Sequence, residues 1–396
     1  MRILSVHNYY AQPGGEDRVF ESEASLLESH GHEVIRFVRH NSSLAGVSRA
    51  GVFMNALWSR KVASELTQVV ADRKPDVAHV HNVFSVLSPV VYHVFRRAGI
   101  PVVQTLHNYR LACPAARLRR AGRFCDQCRG RMMAWPAIRH RCYQSSLSSS
   151  AALSAILAFH RLIGTWTRGV DLYIAPSEFL RKQMIPAGVP TGRVVVKPHY
   201  VPDPGGEAGR GQGGGALYLG RLEAEKGVLE LLDAWRLLPG YPLDLVGEGP
   251  LESVIRGRLR DPALSHVSLS GWAAREDVDV RLAKARLVVV PSVGDESFGL
   301  PVIEAFSYGV PAIVSQAGAL PELVTDGVNG VVADPGNALK WAAAVRCIFD
   351  DAGIRSRMSR EARSTYLQRY SPDIGYRNLL AVYGQVRRMG RFPSEE

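Results

Sequence analysis

The sequence predicts an α/β protein with two doubly wound parallel sheets, one in each half of the chain. Short apolar runs alternate with amphipathic helical patterns in the first half. A stretch rich in glycine and proline, at 202–215, interrupts this alternation, which then resumes. Strand, helix and strand in succession at these spacings are typical of parallel βαβ units. The 396 residues are enough for two or three domains.

The predicted elements follow one another in the order that such a fold requires. The first half contains six expected strands, at 1–7, 32–40, 76–82, 101–108, 171–177 and 193–199. The second half contains six more, at 216–220, 243–247, 267–271, 287–292, 310–315 and 330–334. Apolar residues at helical spacing lie between the strands, and amphipathic helices close the chain at about 357–390.

We therefore predict four segments: a Rossmann-like domain at 1–201, a linker at 202–215, a second Rossmann-like domain at 216–370, and a C-terminal helix at 371–396 that packs back on the first domain. An insert rich in arginine and cysteine is expected at about 110–145. Ligands of open parallel sheets bind beyond the carboxyl ends of the strands. The two domains are thus expected to face each other across a cleft formed by the loops that follow the strands.

Positive charge is concentrated in the first half. Residues 1–200 contain 26 lysines and arginines against 12 acids, whereas the remainder contains 22 against 25. Nine arginines and one aspartate fall within 110–141, which favours an anionic partner: nucleic acid, a phospholipid surface or a phosphorylated substrate. Solubility in an arginine-rich proteome is the alternative. Because the sequence shows neither ~18 uninterrupted apolar residues nor a signal peptide, we expect a cytoplasmic protein, with peripheral contact to the inner face of the plasma membrane as an open alternative.

The segment GDESFGLPVIEAFSYG, at 294–309, places Glu296 and Glu304 around the start of a helix. The backbone N–H groups expected at this helix entrance are those of Phe298, Gly299 and Leu300. Together with the helix dipole, they form an anion site suited to a diphosphate. Glu304 can accept hydrogen bonds from ribose hydroxyls, and Glu296 from hydroxyls of a transferred group. The alternative is that both acids simply occupy a helix start, where acids are favoured.

Two cations follow the first strand of the second domain. Arg221 and Lys226 lie in the loop after Gly220. They would neutralise a diphosphate that otherwise needs Mg²⁺, and would stabilise its growing charge as it leaves. A solvated basic loop is the alternative. Asp277 and Asp279 are not predicted to bind a metal, because a solvated helix face explains them.

The first domain offers weaker signals at the ends of its strands. Gly14 and Gly15 follow the first strand, where glycines let a ligand approach the backbone, although a plain tight turn explains them equally well. His107 follows the fourth strand, where an imidazole can hydrogen-bond a sugar hydroxyl or assist proton transfer. One histidine among twelve is weak support by itself.

Four of the five cysteines form one cluster, Cys113, Cys125, Cys128 and Cys142. A C-x-x-C with two flanking cysteines fits a structural zinc site, and a cytosolic setting favours zinc over disulfides. Inert or redox-active thiols are the alternative. Cys347 stands apart and is expected in the core.

With these residues collected, the chain resembles glycosyltransferase family 4, retaining nucleotide-sugar enzymes of the GT-B fold. The matching segments, in chain order, are PGGEDRVF, TLHNYR, GRLEAEKG, GDESFGLPVIEAFSYG and GALPELVTDGVNGVV. The resemblance implies a nucleotide-sugar donor held mainly by the second domain, an acceptor site in the first, and retention at the anomeric carbon without a required metal. The chain departs from many relatives at 197–204, where KPHYVPDP replaces Asn-Gly-Val-Asp.

The resemblance also implies roles for individual residues. The diphosphate would contact Arg221 and Lys226, donor-sugar hydroxyls would contact Glu296, and the ribose would contact Glu304. The catalytic candidates are His107, Arg221, Lys226 and Glu296. The donor-binding candidates are Gly14, Gly15, Gly271, Trp272, Phe298, Gly299, Leu300 and Glu304. No side chain is assigned as nucleophile, because the favoured route is front-face attack with the leaving phosphate as base.

The expected activity is transfer of a sugar to a glycan or lipid-phosphate-linked acceptor in the synthesis of a cell-surface polysaccharide or glycolipid. A nucleotide-sugar epimerase of the same fold would bind the nucleotide but need no acceptor. A phosphorylase would need a lysine for pyridoxal phosphate, for which there is no candidate. A nucleic-acid-binding protein that uses the basic insert would leave the motifs of the second domain unexplained, so no nucleic-acid partner is expected.

Overall fold

The computed structural model describes residues 1–10, 14–44, 46–205 and 214–389. The chain forms two compact units. One comprises Met1–Pro198 together with the chain from Tyr376, and the other comprises His199–Gly375. Four parts of the predicted segments lie outside the described residues: 11–13 and 45 of the first domain, 206–213 of the linker and 390–396 of the terminal helix.

The first unit is built on a parallel six-stranded sheet with an additional short hairpin. Its strands are β1 Arg2–Tyr9, β2 Glu33–His40, β3 Val77–Val80, β4 Val102–Thr105, β5 Arg119–Arg120, β6 Arg123–Phe124, β7 Leu172–Ala175 and β8 Val194–Val196. Its helices are α1 Gly15–Ser29, α2 Arg49–Leu57, α3 Arg60–Arg73, α4 Val90–Arg97, α5 Trp135–Arg139, α6 Leu147–Leu162, α7 Thr165–Arg168 and α8 Glu178–Met184. The sheet order is β2-β1-β3-β4-β7-β8, and β5 pairs with β6 in antiparallel fashion.

The second unit repeats this architecture. Its strands are β9 Ala216–Leu219, β10 Leu243–Val246, β11 Val267–Gly271, β12 Leu287–Val290, β13 Ala312–Ser315 and β14 Gly330–Ala333. The helices from here to the end of the described chain are α9 Val228–Trp235, α10 Glu252–Arg258, α11 Arg275–Lys284, α12 Leu300–Ser307, α13 Leu320–Leu323, α14 Ala338–Asp350, α15 Ala352–Arg369 and α16 Pro372–Met389. The parallel sheet order is β11-β10-β9-β12-β13-β14.

The prediction of two doubly wound parallel sheets is confirmed, and each of the twelve predicted strands is formed. The central strands β3, β4, β7, β12 and β13 are buried at every position. Helices cover both faces of a parallel sheet, which explains why these strands read as continuous apolar runs instead of alternating patterns. The hairpin β5–β6 was not predicted, because two-residue strands carry no periodicity.

The last helix completes the core of the first unit. Side chains of α16, including Leu379 and Val386, pack in one cluster with Ile3, Val77 and Val103 of the sheet. Cys347, by contrast, is exposed on α14, so its expected place in the core is wrong. None of the helices within the described ranges has both the length and the apolar character that a bilayer crossing requires.

Candidate active site

The strand order of the second unit reverses between β9 and β12. Strand β9 pairs with β10 on one side and with β12 on the other, which corresponds to the order 3-2-1-4-5-6 within the unit. The connections from such neighbours leave in opposite directions, so a crevice forms at the carboxyl edge of the sheet. The loop 220–227 follows β9, and the loop 291–299 follows β12. The segments GRLEAEKG and GDESFGLPVIEAFSYG, which the sequence analysis identified, therefore both begin at this crevice.

The structure joins two of the predicted residues in an ion pair. The Lys226 Nζ atom lies 2.6 Å from Glu296 Oε1, and the Ser292 hydroxyl donates to the same oxygen at 2.6 Å. Burial alone would raise the pKa of the Glu296 carboxyl, but the Lys226 ammonium and the Ser292 hydrogen bond hold it below its ordinary value. Glu296 is therefore anionic at neutral pH. Its carboxylate can accept hydroxyl hydrogen bonds while it fixes the ammonium of Lys226.

The loop that carries Glu296 is held by a close backbone approach. Gly318 has a φ of +58°, and a Cβ atom there would lie 2.3 Å from the Glu296 backbone nitrogen. The Ala319 N–H donates to the Glu296 carbonyl at 2.9 Å. Only glycine allows this contact, which explains the glycine in the segment GALPE, to which the sequence assigned no role.

The anion site predicted at a helix entrance coincides with the start of α12. Gly299, with a φ of +125°, precedes the first helical residue, Leu300. The Phe298 ring is buried and contacts the rings of His199 and Tyr370, with centroids 5.0 and 6.3 Å apart. The packed ring fixes the backbone that leads into the helix. The sequence alone could not predict these ring contacts, because His199 and Tyr370 are distant from Phe298 along the chain.

Glu304 has a partner that the sequence did not indicate. Its carboxylate is 2 % exposed and accepts a hydrogen bond from Arg275 Nη1 at 2.6 Å. Arg275 opens α11 and also pairs with Asp279 at 2.7 Å. Asp279 is thus half-buried and ion-paired, so the expectation of a solvated face holds for exposed Asp277 and is wrong for Asp279. The Arg275–Glu304 pair places a buried acceptor on α12 beside a partly exposed cation on α11.

The remaining candidates of the second unit lie on loops beyond the strands. The Arg221 side chain is 61 % exposed and pairs with Glu223 at 3.2 Å. Gly271 ends β11 with a φ of +70°, and the Trp272 ring after it is 70 % exposed. An exposed indole at a carboxyl edge is available for stacking on a planar ligand. Their assignment to the nucleotide stays a prediction.

In the first unit, His107 contacts a residue at the adjacent strand end, and Gly14 contacts the first turn of α1. His107 follows β4, and its Nε2 lies 3.1 Å from Nδ1 of His81, which follows the neighbouring strand β3. The Gly14 N–H donates to Asp17 at 2.7 Å, and the same carboxylate contacts the buried His7 at 2.7 Å. Gly15 begins α1. His81 could have been found by the same rule as His107, because it directly follows strand β3.

A buried ion pair lies beneath these histidines. Lys197 Nζ is 2.6 Å from Glu23 Oε1, and each side chain is 2 % exposed. The Glu23 Oε2 atom lies 3.8 Å from His79 and 3.7 Å from His81. Burial lowers the pKa of His79 to about 4 and holds that of His81 well below its ordinary value, so both imidazoles are neutral at pH 7.

The cluster of Glu23, His79 and His81 has the spacing of a metal site, but its chemistry argues otherwise. Their ligand atoms lie within 4.8 Å of one another. However, both His79 ring nitrogens are hydrogen-bonded at 2.8 Å, one to the Tyr383 hydroxyl and one to Thr105. The Lys197 ammonium already neutralises the carboxylate. We therefore interpret this cluster as a structural network that supports His81 and, through it, His107.

Glu16, near the start of α1, gives a prediction for pH dependence. Burial, and then the charge of Asp17, raise the pKa of this carboxyl from 4.5 to about 7 despite the opposing charge of Arg110. The folded state therefore favours the protonated form, so the contribution of Glu16 to stability is greatest below pH 4.5 and declines as the pH rises to about 7. Glu16→Gln is expected to remove this decline and to add about 3 kcal/mol of unfolding free energy at pH 8.

Urea unfolding of both proteins at a series of pH values measures this difference. Glu28→Gln, on the exposed side of the same helix, is the matched control and should keep the decline. Parallel pH profiles for wild type and Glu16→Gln would show that Glu16 does not titrate near neutrality.

The chain has two doubly wound parallel units. At the switch point of the second unit lie an ion-paired loop and the N-terminus of a helix. These features define a protein of the GT-B class. The chain belongs to the GT4-type glycosyltransferases of this class. Residues 13–203 match the family described as Glycosyltransferase Family 4, and residues 212–365 match the family described as Glycosyl transferases group 1.

Individual relatives support this assignment to different degrees. Glycogen synthase of Mycobacterium tuberculosis is 34 % identical over 175 residues, which is 43 % of this chain and 41 % of that protein. The match thus spans less than half the length of this relative. HepE of Anabaena, solved in complex with UDP, covers 97 % of this chain and 100 % of its own at 19 % identity and a TM-score of 0.67. Sucrose-phosphate synthase of Thermosynechococcus elongatus covers 98 % and 99 % at 17 % identity and a TM-score of 0.72. These two structures share the fold.

Proposed function

We propose that this protein transfers a sugar, with retention at the anomeric carbon, from a nucleoside-diphosphate sugar to a glycan or lipid-linked acceptor. The observation that carries the proposal is the Lys226–Glu296 pair at the switch point of the second sheet. An ammonium fixed beside a carboxylate at this point suits a ligand that joins a diphosphate to a polyhydroxylated sugar. In this pair, each charge holds the other in position.

The second unit supplies the donor contacts in this proposal. Lys226 and the exposed Arg221 bind the diphosphate and stabilise the charge that grows as the glycosidic bond breaks. The first N–H groups of α12 donate to the same group. Glu296 accepts hydrogen bonds from donor-sugar hydroxyls, and Glu304, oriented by Arg275, accepts them from the ribose. HepE was solved with UDP, which supports a nucleoside-diphosphate ligand for this fold.

No side chain of the chain is assigned as the nucleophile. The acceptor hydroxyl attacks on the face from which the diphosphate departs, and a phosphate oxygen takes its proton. The cations then stabilise the leaving diphosphate directly, so no metal ion is needed for this step. His107 assists by a hydrogen bond to a sugar hydroxyl, and its neighbour His81 orients its ring.

The first unit supplies the acceptor site in this proposal. The insert at 110–145 contains nine arginines, a composition that suits a phosphate-bearing or lipid-linked acceptor. The same arginines would hold the protein against an anionic membrane surface on the cytoplasmic side. Synthesis of a cell-surface polysaccharide or glycolipid is the process that such an acceptor indicates.

Thermal denaturation with UDP-, GDP-, ADP- and TDP-sugars tests the donor site. A ligand that binds only the folded state raises the melting temperature, and one nucleotide is expected to raise it most. Glu304→Ala is expected to remove most of this increase, because the ribose loses its acceptor.

Glu276→Ala, at an exposed position on α11, is the matched control and should respond like the wild type. Glu304→Gln serves where the alanine variant is unstable without ligand, since it preserves shape but loses the charge. If none of the four nucleotides stabilises the wild type, the transferase proposal fails.

A further inference from the structure

The four clustered cysteines of the insert converge on one small cavity. Cys113 lies after β4, Cys125 directly follows the hairpin β5–β6, Cys128 lies in the next turn, and Cys142 follows α5. All four line a cavity of about 10 Å³. This volume is roughly that of one water-sized sphere, so the space between the thiols fits a single ion. We propose that these cysteines bind one structural zinc ion.

Backbone hydrogen bonds hold three of the four cysteines in turns or at the base of the hairpin. The Cys125 N–H donates to the Leu118 carbonyl at 2.8 Å and thereby closes the base of the hairpin. The Cys142 N–H donates to the carbonyl at position 137 at 3.0 Å, and the Cys113 N–H donates to the carbonyl at position 109 at 2.8 Å. A hairpin that leads into a C-x-x-C turn, with two more cysteines brought in from either side, is the arrangement of a Cys₄ site.

Only part of the insert is held by the core of the first unit, into which Leu111, Ala112 and Leu118 pack. The rest has a small buried cluster of its own, Cys128, Ala134 and Ala137, with Cys142 beside them. Eight described non-glycine residues have a positive φ, and six of them lie in this segment: Ala116, Leu118, Ala121, Arg141, Gln144 and Ser145. Such conformations cost free energy and persist only when the surroundings enforce them. In short segments with a small apolar core, a metal ion or disulfide bonds hold the backbone in such conformations.

The charges around the cavity suit a zinc–thiolate site. Four thiolates around a divalent ion leave an excess of two negative charges. Arg119 and Arg120 line the same cavity, so two positive side chains lie beside the site. The arginines of the insert thus offset the charge of the metal site.

Four protein ligands leave no open position, so this zinc would be structural. Zinc–sulphur bonds of about 2.3 Å would draw the side chains inward. That movement is needed because the cysteine sulphur atoms are not yet all within 4.8 Å of one another. Among the described residues, Glu23, His79 and His81 are the group whose ligand atoms meet this spacing. The bound ion would fix the loop that begins six residues after His107. The proposal does not depend on the transferase activity.

Elemental analysis of the full chain, purified without chelators or metal-affinity steps, tests the proposal. One zinc ion per chain is expected in the wild type, and less than one fifth of that in Cys128→Ser. Cys347→Ser, which changes the exposed cysteine outside the cluster, is the matched control and should retain the full content. Cobalt substitution gives a second measurement on the wild type alone, because tetrahedral cobalt thiolates show intense visible d–d bands.

Full zinc content in Cys128→Ser would place the ion elsewhere and overturn the proposal. So would a wild type that contains no zinc, shows no cobalt–thiolate bands and has either five titratable thiols or disulfides within the cluster. A Cys128→Ser variant that does not fold leaves the wild-type zinc and cobalt measurements decisive.

Discussion

Glu296→Gln is expected to lower the rate of sugar transfer by about 10²–10³-fold, the usual effect of removing one preorganised electrostatic contact from an active site. The amide keeps the shape of the side chain but loses the charge that fixes Lys226. Without that charge, the ammonium is no longer held at the switch point, and the donor sugar loses an anionic acceptor. The effect should fall on kcat more than on KM, because the contact is strongest when the diphosphate departs.

Initial rates of sugar transfer from the nucleotide sugar identified by thermal denaturation measure this effect. Glu276→Gln, at an exposed position of the same unit, should retain the wild-type rate. Melting temperatures of both variants without ligand show whether the fold is preserved. A rate for Glu296→Gln within a factor of three of the wild type would remove Glu296 from the catalytic site.

Lys197→Met is expected to destabilise the first unit by roughly 3–5 kcal/mol. The substitution removes the cation from a pair in which both side chains are 2 % exposed, and it leaves the Glu23 carboxylate buried beside neutral imidazoles. For a unit of this size, the melting temperature should fall by roughly 10 °C. Differential scanning calorimetry measures the change.

Lys182→Met, an exposed lysine on α8 of the same unit, is the control and should melt like the wild type. Glu23→Leu combined with Lys197→Met should recover most of the lost stability, because replacing both members of a buried pair removes the uncompensated charge. A single variant that melts within 2 °C of the wild type would show that water or another cation compensates Glu23.

The sequence was most informative for strands that are buried on both faces of the sheet. Strands such as β12, which is covered on both faces, read as unbroken apolar runs, and the position directly after each run then located the active-site loops. Lys226 and Glu296 could be named from this rule, since both follow strands that meet at the switch point. This rule does not predict which charged side chains form ion pairs with each other.

Ion pairs between residues that are far apart in the sequence could not be predicted, for a physical reason. Glu23 and Lys197 are 174 residues apart, and Arg275 and Glu304 lie on different helices, so no local pattern joins them. A partial signal existed, because Glu23 falls on the buried face of α1 beside Ala24. A charge on such a face requires a partner, but the sequence cannot say which of many cations supplies it.

The docking of α16 on the first sheet has a consequence for biosynthesis. The sheet of the first unit remains without its covering helix until α16, Pro372–Met389, has emerged from the ribosome. The unit at His199–Gly375 is continuous in sequence and can finish folding sooner. During translation the order of completion is thus reversed: the domain that is made second is finished first, and the nascent N-terminal half carries an uncovered apolar surface for the longest time.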